Sequence, residues 1–319
     1  MKRRTILKLT AALAAMGVAG TASASGKEIV YLAPSFDAPF WRTVAKGVEA
    51  AATKDGYIYQ TLDSQNNAQK QLKNAQDAIT RQVAGIVLSP TDSSTAPSIL
   101  KLAAEAKIPV VICDIGTTEG EYVSFIASDN TAGAKGVGEA VAAALKAKKI
   151  DDAPFGLITL SLARINGQKR TEGFRTGMKE GGYTNEVALS QMQAYTADES
   201  FKFTQDMLTA QPGLKAMFIQ ADAPAMGALR AIKAARRNGE IVVGAFDGIP
   251  EFVDLLKSGE LAAAGMQQPH LMGEMAAQAL ISHLNGKVPD KEVLVPVMIA
   301  TSINIDALLP EAKKNVFGE

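Results

Sequence analysis

Residues 108–114 read Ile108-Pro109-Val110-Val111-Ile112-Cys113-Asp114. The apolar run has no polar alternation and stops on a carboxylate. A strand with one face in water alternates apolar and polar residues. An unbroken β-branched run instead marks a strand covered on both faces, as in parallel sheets wrapped by helices. Similar runs recur at residues 29–33, 84–88, 157–160, 216–219 and 241–246. Helical spacing lies between them: Phe40, Val44 and Val48 recur every four residues, and Leu72, Ala75 and Ile79 at three and four. Turn signals separate the units at Asp55-Gly56, Gly181-Gly182, Pro212-Gly213, Asn238-Gly239 and Asp247-Gly248. This alternation predicts βαβ units, about four before residue 128 and about four after it. A chain of 319 residues exceeds one ordinary core. The reading is therefore α/β, with two doubly wound parallel-sheet lobes. A closed eight-stranded barrel is the structural alternative.

The first residues have another character. Residues 1–24 begin with Lys2, Arg3 and Arg4, continue through a short apolar stretch at 9–19, and end on Ala22-Ser23-Ala24. That order predicts a secretory signal peptide cut after Ala24, because the apolar run is too short to span a membrane. A free amphipathic N-terminal helix is the alternative. Arg3-Arg4-Thr5-Ile6-Leu7-Lys8 also looks like a twin-arginine signal, so both export routes stay open. Cleavage removes four basic residues and no acid, which turns the balance of 33 basic and 33 acidic residues into a net charge of −4. An exported periplasmic protein is expected, without the basic excess that a nucleic-acid partner requires. Cys113 is the one cysteine, and His270 and His283 are the two histidines. An intrachain disulfide and a cysteine- or histidine-built metal site are thereby excluded.

The familiar catalytic patterns are absent. No G-x-G-x-x-G follows the first strand, and there is no P-loop and no G-x-S-x-G elbow. Gly133, Gly136 and Gly138 fall inside a predicted helix, where small residues let a neighbour come close. His270 follows Gln267-Gln268-Pro269 and reads as a helix start, since no nucleophile pattern accompanies it. Nothing in the sequence asks for an enzyme, a cofactor or a metal.

What recurs is a polar or aromatic residue just past a strand, the place where open parallel sheets bind ligands. Asp37, Phe40 and Trp41 follow the first strand, and Ser89 follows residues 84–88. Asp114 ends the run quoted above, and Arg170 lies a short loop beyond residue 160. Asp222 follows Gln220-Ala221, Asp247 follows Phe246, and Gln267 follows Met266. Carboxylates accept from hydroxyls, an arginine donates in a fork, and ring faces cover the C–H side of a sugar. Singly, each has a plainer role: an Asp caps a helix, and Phe40 and Trp41 staple one. Together they suit a small neutral polyhydroxy ligand.

At these residues the chain resembles the ribose-binding type of periplasmic sugar-binding proteins, the type I fold that feeds ABC importers. Thr61-Leu62-Asp63-Ser64-Gln65-Asn66-Asn67, Ser89-Pro90-Thr91-Asp92-Ser93 and Ile126-Ala127-Ser128-Asp129-Asn130 carry the likeness. So do Met226-Gly227-Ala228-Leu229-Arg230 and Val243-Gly244-Ala245-Phe246-Asp247-Gly248. Repressor effector domains share the fold but carry a helix-turn-helix where this chain has a leader. The resemblance implies two lobes joined by a three-segment hinge, crossed near 128–129, 267–268 and 299–302. Lobe one would hold residues 25–128 and 268–299, and lobe two residues 129–267 and 300–319. It implies a site of Phe40, Trp41, Tyr195 and Phe246 as rings, Asp114 and Asp247 as hydroxyl acceptors, Arg170 and Gln267, with Asp37 and Ser89 at neighbouring positions. Four positions depart from the family pattern: Ala38, Ser89 and Ala221 stand where it has asparagine, and Ile115 where it has arginine. Three of these remove hydrogen-bonding side chains, which argues against ribose itself and for a shorter polyol or a deoxy or branched sugar. The implied partner is an inner-membrane ABC permease, and the implied state a monomer that closes on its ligand. A receptor for a sensor kinase or chemotaxis protein is the alternative, and an enzyme on the same scaffold a further one.

Overall fold

The computed structural model describes residues 24–319. The signal peptide expected at residues 1–24 lies outside the described residues except for Ala24. In chain order the elements are β1 (Glu28–Ala33), α1 (Pro39–Lys54), β2 (Ile58–Asp63), α2 (Ala68–Thr80), β3 (Gly85–Leu88), α3 (Ala96–Glu105), β4 (Val110–Cys113), β5 (Ser124–Ser128) and α4 (Asn130–Ala147). Then come β6 (Phe155–Thr159), α5 (Ile165–Glu180), β7 (Glu186–Gln191), α6 (Ala197–Ala210), β8 (Ala216–Ile219), α7 (Asp222–Ala234), β9 (Val242–Phe246), α8 (Glu251–Ser258) and β10 (Ala263–Met266). The chain ends with α9 (Pro269–Leu284), β11 (Glu292–Val295), β12 (Met298–Ala300) and α10 (Ile305–Asn315).

The strands form two open six-stranded sheets, β11-β5-β4-β3-β1-β2 and β12-β10-β9-β8-β6-β7. Every pairing is parallel except β10 with β12. This is a two-lobed α/β fold and not a closed barrel. Each sheet is covered on both faces, as the unbroken apolar runs require. In the first, Val30, Leu32, Ile86, Leu88 and Ile112 pack under α2 and α3, while Ile29, Tyr31, Val87 and Val111 face α1 and α9. Successive strand residues point to opposite faces, so one strand feeds both layers. In the second, Ile158, Ile219 and Ala245 serve one face, and Leu157, Phe218 and Phe246 the other. Each fully buried aliphatic side chain contributes about 1.5–3 kcal/mol.

Glycines allow the closest helix contacts. A Cβ on Gly47 of α1 would collide with the His270 carbonyl oxygen of α9, and one on Gly273 with the Val44 carbonyl oxygen. Gly138 of α4 and Gly177 of α5 meet each other's backbones in the same way in the second lobe. Gly133 and Gly136 lie against Val297 and Ile299, so this glycine group packs a helix and cradles no phosphate.

The chain passes between the sheets three times. The first passage follows Ser128 and the second follows Met266. The third runs through Pro296 and Val297, earlier than the 299–302 expected from the resemblance. Met298 and Ile299 pair antiparallel with Met266 and Gly265, so they close the edge of the second sheet rather than ending the first lobe.

Candidate functional site

Both sheets reverse their strand order once, beside β1 and beside β6. Open α/β sheets bind ligands outside such reversals, at the carboxyl ends of the strands. Here the two sets of strand ends face each other around a cavity of about 310 Å³. That is at the lower end of small-molecule sites, roughly 300–1,000 Å³.

The first lobe supplies Asp37, Ala38, Phe40 and Trp41 from the β1–α1 loop and the start of α1, Asn66 after β2, and Asp114 after β4. Pro39 at the first helical turn starts α1 without a side-chain cap, which leaves the loop before it free to line the cavity. Phe40 and Trp41 meet edge to face, with ring centroids 4.7 Å apart. The second lobe supplies Arg164, Asn166 and Arg170 from the start of α5, Tyr195 before α6, Ala221 and Asp222 at the start of α7, Asp247 after β9 and Gln267 after β10.

Asp114 and Asp247 hold matching positions, each the first residue past a central strand, at φ 67° and 68°. This left-handed conformation is costly for most L-residues and better tolerated by Asp and Asn. Holding it turns each carboxylate into the cavity. Asp114 accepts from Asn166 Nδ2 at 3.1 Å. Its other oxygen, Oδ1, is buried with no partner in the protein. Burial pushes Asp114 up to about 6, opposed by Arg170 and Arg164 and assisted by Asp247. Burial likewise raises Asp222, with the neighbouring Asp247 adding to it, and raises Asp247, where Arg170 pulls the other way.

Arg170 is 2% exposed. Its Nε donates to Asn130 Oδ1 at 2.7 Å, and its Nη1 to the Gln220 carbonyl at 2.8 Å and Asp247 Oδ1 at 3.3 Å. The guanidinium lies 4.2 Å from the centroid of the Phe246 ring. Gln267 Nε2 also donates to Asp247 Oδ1, while Gln267 Oε1 is buried without a partner. Arg164 covers the Tyr195 ring at 4.3 Å. The wall thus offers unpaired acceptors, Asp114 Oδ1 and Gln267 Oε1, beside aromatic rings. Those acceptors ask for a ligand that donates hydrogen bonds.

Eight of the ten predicted site residues line this cavity: Asp37, Phe40, Trp41, Asp114, Arg170, Tyr195, Asp247 and Gln267. Phe246 and Ser89 do not. Phe246 is the last residue of β9 and points to the sheet face opposite Ala245, where it packs under α4 and supports Arg170. Ser89 is fully buried; its hydroxyl accepts from Tyr31 and its carbonyl from Gln71. Further polar residues line the cavity without having been among the predicted site residues: Asn66, Arg164, Asn166 and Thr196. Asp222 stood out only as a strand-end residue, and the structure places it in the wall at 5% exposure. Of the apolar departures, Ala38 and Ala221 face the cavity, whereas Ile115 is buried in the first-lobe core.

Over residues 29–288 the sequence matches the periplasmic binding protein domain. The chain belongs to this family. Among relatives, the ribose import binding protein of Haemophilus influenzae is 34% identical over 297 residues, 92% of this chain and 98% of that one. The D-apiose import binding protein of Paraburkholderia graminis is 29% identical over 92% of this chain and 93% of its own. Among solved structures, an ABC transporter solute binding protein from Agrobacterium vitis with bound D-fucose superposes with a TM-score of 0.77. It is 29% identical, and the match covers 91% of this chain and 99% of that one. Among the described residues of this periplasmic binding protein, no helix is long and apolar enough to cross a membrane. No group of three or more His, Cys, Asp or Glu among them is placed to hold a metal ion.

Proposed function

We propose that this protein is the solute receptor of an ABC importer, capturing a small neutral sugar or polyol between its lobes and delivering it to an inner-membrane permease. The observation that carries the reading is the pair of buried, unpartnered acceptors, Asp114 Oδ1 and Gln267 Oε1, in a cavity that also presents Phe40 and Trp41. Hydroxyls meet such acceptors, and ring carbons cover the C–H face of a sugar. Four carboxylates line the wall against two arginines, and much of the arginine donor capacity is turned toward the protein. A phosphate or sugar acid would find few free donors and no surplus of positive charge there. Import is supported by what the relatives are named for. The protein acts as a monomer that binds its ligand and does not transform it.

Residues from both lobes line the site, so a bound ligand bridges the lobes only when they are closed, and that differential contact drives closure. Ala38 and Ala221 stand in the wall where the resemblance places asparagine. Ribose should therefore bind at least about tenfold more weakly than the true ligand, the worth of one hydrogen bond. A thermal-shift screen of the mature chain tests the ligand class. A neutral sugar or polyol should raise the melting temperature, and stabilisation by sugar acids or phosphates alone would overturn the reading. Mass spectrometry of periplasmic material should find a chain beginning at Ser25; a soluble chain retaining Met1 would reject the proposed cut.

A further inference from the structure

Tyr195, on the loop between β7 and α6, is the aromatic ring that the second lobe brings to the cavity. Its backbone sits at φ 58°. For a bulky side chain this left-handed conformation is an outlier that the surroundings must impose. Both ends of the loop are anchored. Met192 is fully buried, and its backbone N–H donates to the Thr159 carbonyl at 2.9 Å. Thr196 caps α6, its Oγ1 accepting from the Glu199 backbone N–H at 3.2 Å.

Between these anchors one side chain holds three consecutive residues. The Glu199 carboxylate accepts from the backbone N–H groups of Gln193, Ala194 and Tyr195, at 2.8, 2.9 and 2.9 Å. Thr196-x-x-Glu199 has the spacing of a capping box, in which the glutamate reaches back to the N–H of the cap residue itself. Here it reaches one to three residues further, into the loop that lines the site. Bonds to a carboxylate are stronger than those to a neutral acceptor. Three at once fix the direction in which the Tyr195 side chain leaves the backbone. The ring then meets the Arg164 guanidinium, 4.3 Å from its centroid. All these groups belong to the second lobe, so the arrangement does not depend on how far the lobes are closed. Glu199 itself lies outside the cavity wall.

We propose that Glu199 is a positioning residue for ligand binding, which holds residues 193–195 so that the strained Tyr195 ring stays in the cleft. What the ring meets there, the apolar face of a sugar, rests on the preceding reading. Without the carboxylate the loop loses three bonds, Tyr195 relaxes to negative φ, and its ring leaves the wall.

One arm of the test needs no ligand. In a chain labelled with fluorotyrosine, the Tyr195 resonance is assigned from Tyr195→Phe. Glu199→Ala should move that resonance toward the position of an exposed tyrosine and speed hydrogen exchange at the 193–195 amides. Glu199→Gln keeps a carbonyl acceptor, should do the same by less, and serves if the alanine variant fails to fold. The other arm is a double-mutant cycle in affinity, measured by calorimetry with whichever of D-ribose, D-apiose and D-fucose binds most tightly. Tyr195→Gly removes the ring and tolerates the positive φ. Glu199→Ala should weaken binding about three- to tenfold when Tyr195 is present, the worth of one aromatic contact. It should change nothing in the Tyr195→Gly background, which a merely structural role at the start of α6 would not produce. A Tyr195 resonance and amide protection indifferent to Glu199→Ala, or an equal loss of affinity in both backgrounds, would overturn the assignment. If none of the three sugars binds while the ligand-free arm behaves as expected, the sugar reading fails and the hold of Glu199 on Tyr195 stands.

Discussion

Replacing Arg170 by alanine is the most informative single perturbation. The side chain is fully enclosed in the second lobe, where it donates to Asn130, to the Gln220 carbonyl and to Asp247, and covers Phe246. Removing one partner of a buried ion pair leaves the other charge uncompensated, at about 3–5 kcal/mol. The two neutral acceptors would each cost about 1–3 kcal/mol if they stayed dry. Water from the adjoining cavity can reach the vacated space, so the net loss should stay near the ion-pair value, about 3–5 kcal/mol. That is a large share of the roughly 5–15 kcal/mol that holds a domain folded. The loss should also depend on pH. Burial raises Asp247 in the folded chain and Arg170 opposes that rise, so the variant raises it further. An acid whose folded value exceeds its unfolded value destabilises fully above the folded value, less and less as pH falls below it, and not at all below the unfolded value. The variant's deficit should therefore shrink as pH falls from 8 toward 5. Urea unfolding of both proteins at pH 8, 6.5 and 5 measures it. A deficit below about 1 kcal/mol, the worth of a surface pair, or one independent of pH, would refute the reasoning.

Further outcomes follow from the same geometry. Asp114 lies at about 6, and a ligand hydroxyl on Oδ1 needs its ionised form. Affinity measured by titration calorimetry should fall as pH drops from 7.5 to 5, and Asp114→Asn should bind weakly with a flatter profile; stronger binding in acid would contradict this. Gly47→Ala puts a methyl group into the His270 carbonyl oxygen, an overpacking of about 1–3 kcal/mol or more despite alanine's better helix propensity. At about 2–4 °C per kcal/mol for domains of this size, the melting temperature should drop by several degrees, and an unchanged or higher value would count against the close α1–α9 contact. Trp41 is the one tryptophan and lines the cavity, so ligand should shift its emission, and silence at saturation would place the ligand elsewhere.

Six central strands were legible because both their faces are buried, and an unbroken apolar run would be costly on a strand with one face in water; the interior strands β5, bounded by Ser124 and Ser128, and β10, built of Ala263, Ala264 and Gly265, show no such β-branched run. The edge strands were not: β2 carries Tyr59, Gln60 and Thr61 half in water, and β7 is partly exposed along its whole length. Three-residue β12 has no period to read, and so the third passage between lobes falls earlier than the sequence suggests. Asp114, Asp247 and Gln267 stood out because each directly follows a strand. Phe246 stays out of the cavity because the last residue of a strand still obeys the strand's alternation, and only the next one turns into the cleft. Arg164 and Asn166 lie on a helix start, where charged residues are commonplace. Their partners are 52 to 98 residues away in sequence, a separation that no local pattern records.

The central claim is that a neutral sugar or polyol is held between the lobes. Isothermal titration of the mature chain against ribose, D-apiose, tetritols, pentitols and inositols tests it most directly. The account predicts that one of these binds at one molecule per chain, that ribose binds more weakly than that ligand, and that Arg170→Ala loses most of the affinity. A folded chain that binds none of them, or one that binds ribose most tightly and is indifferent to Arg170→Ala, would contradict it.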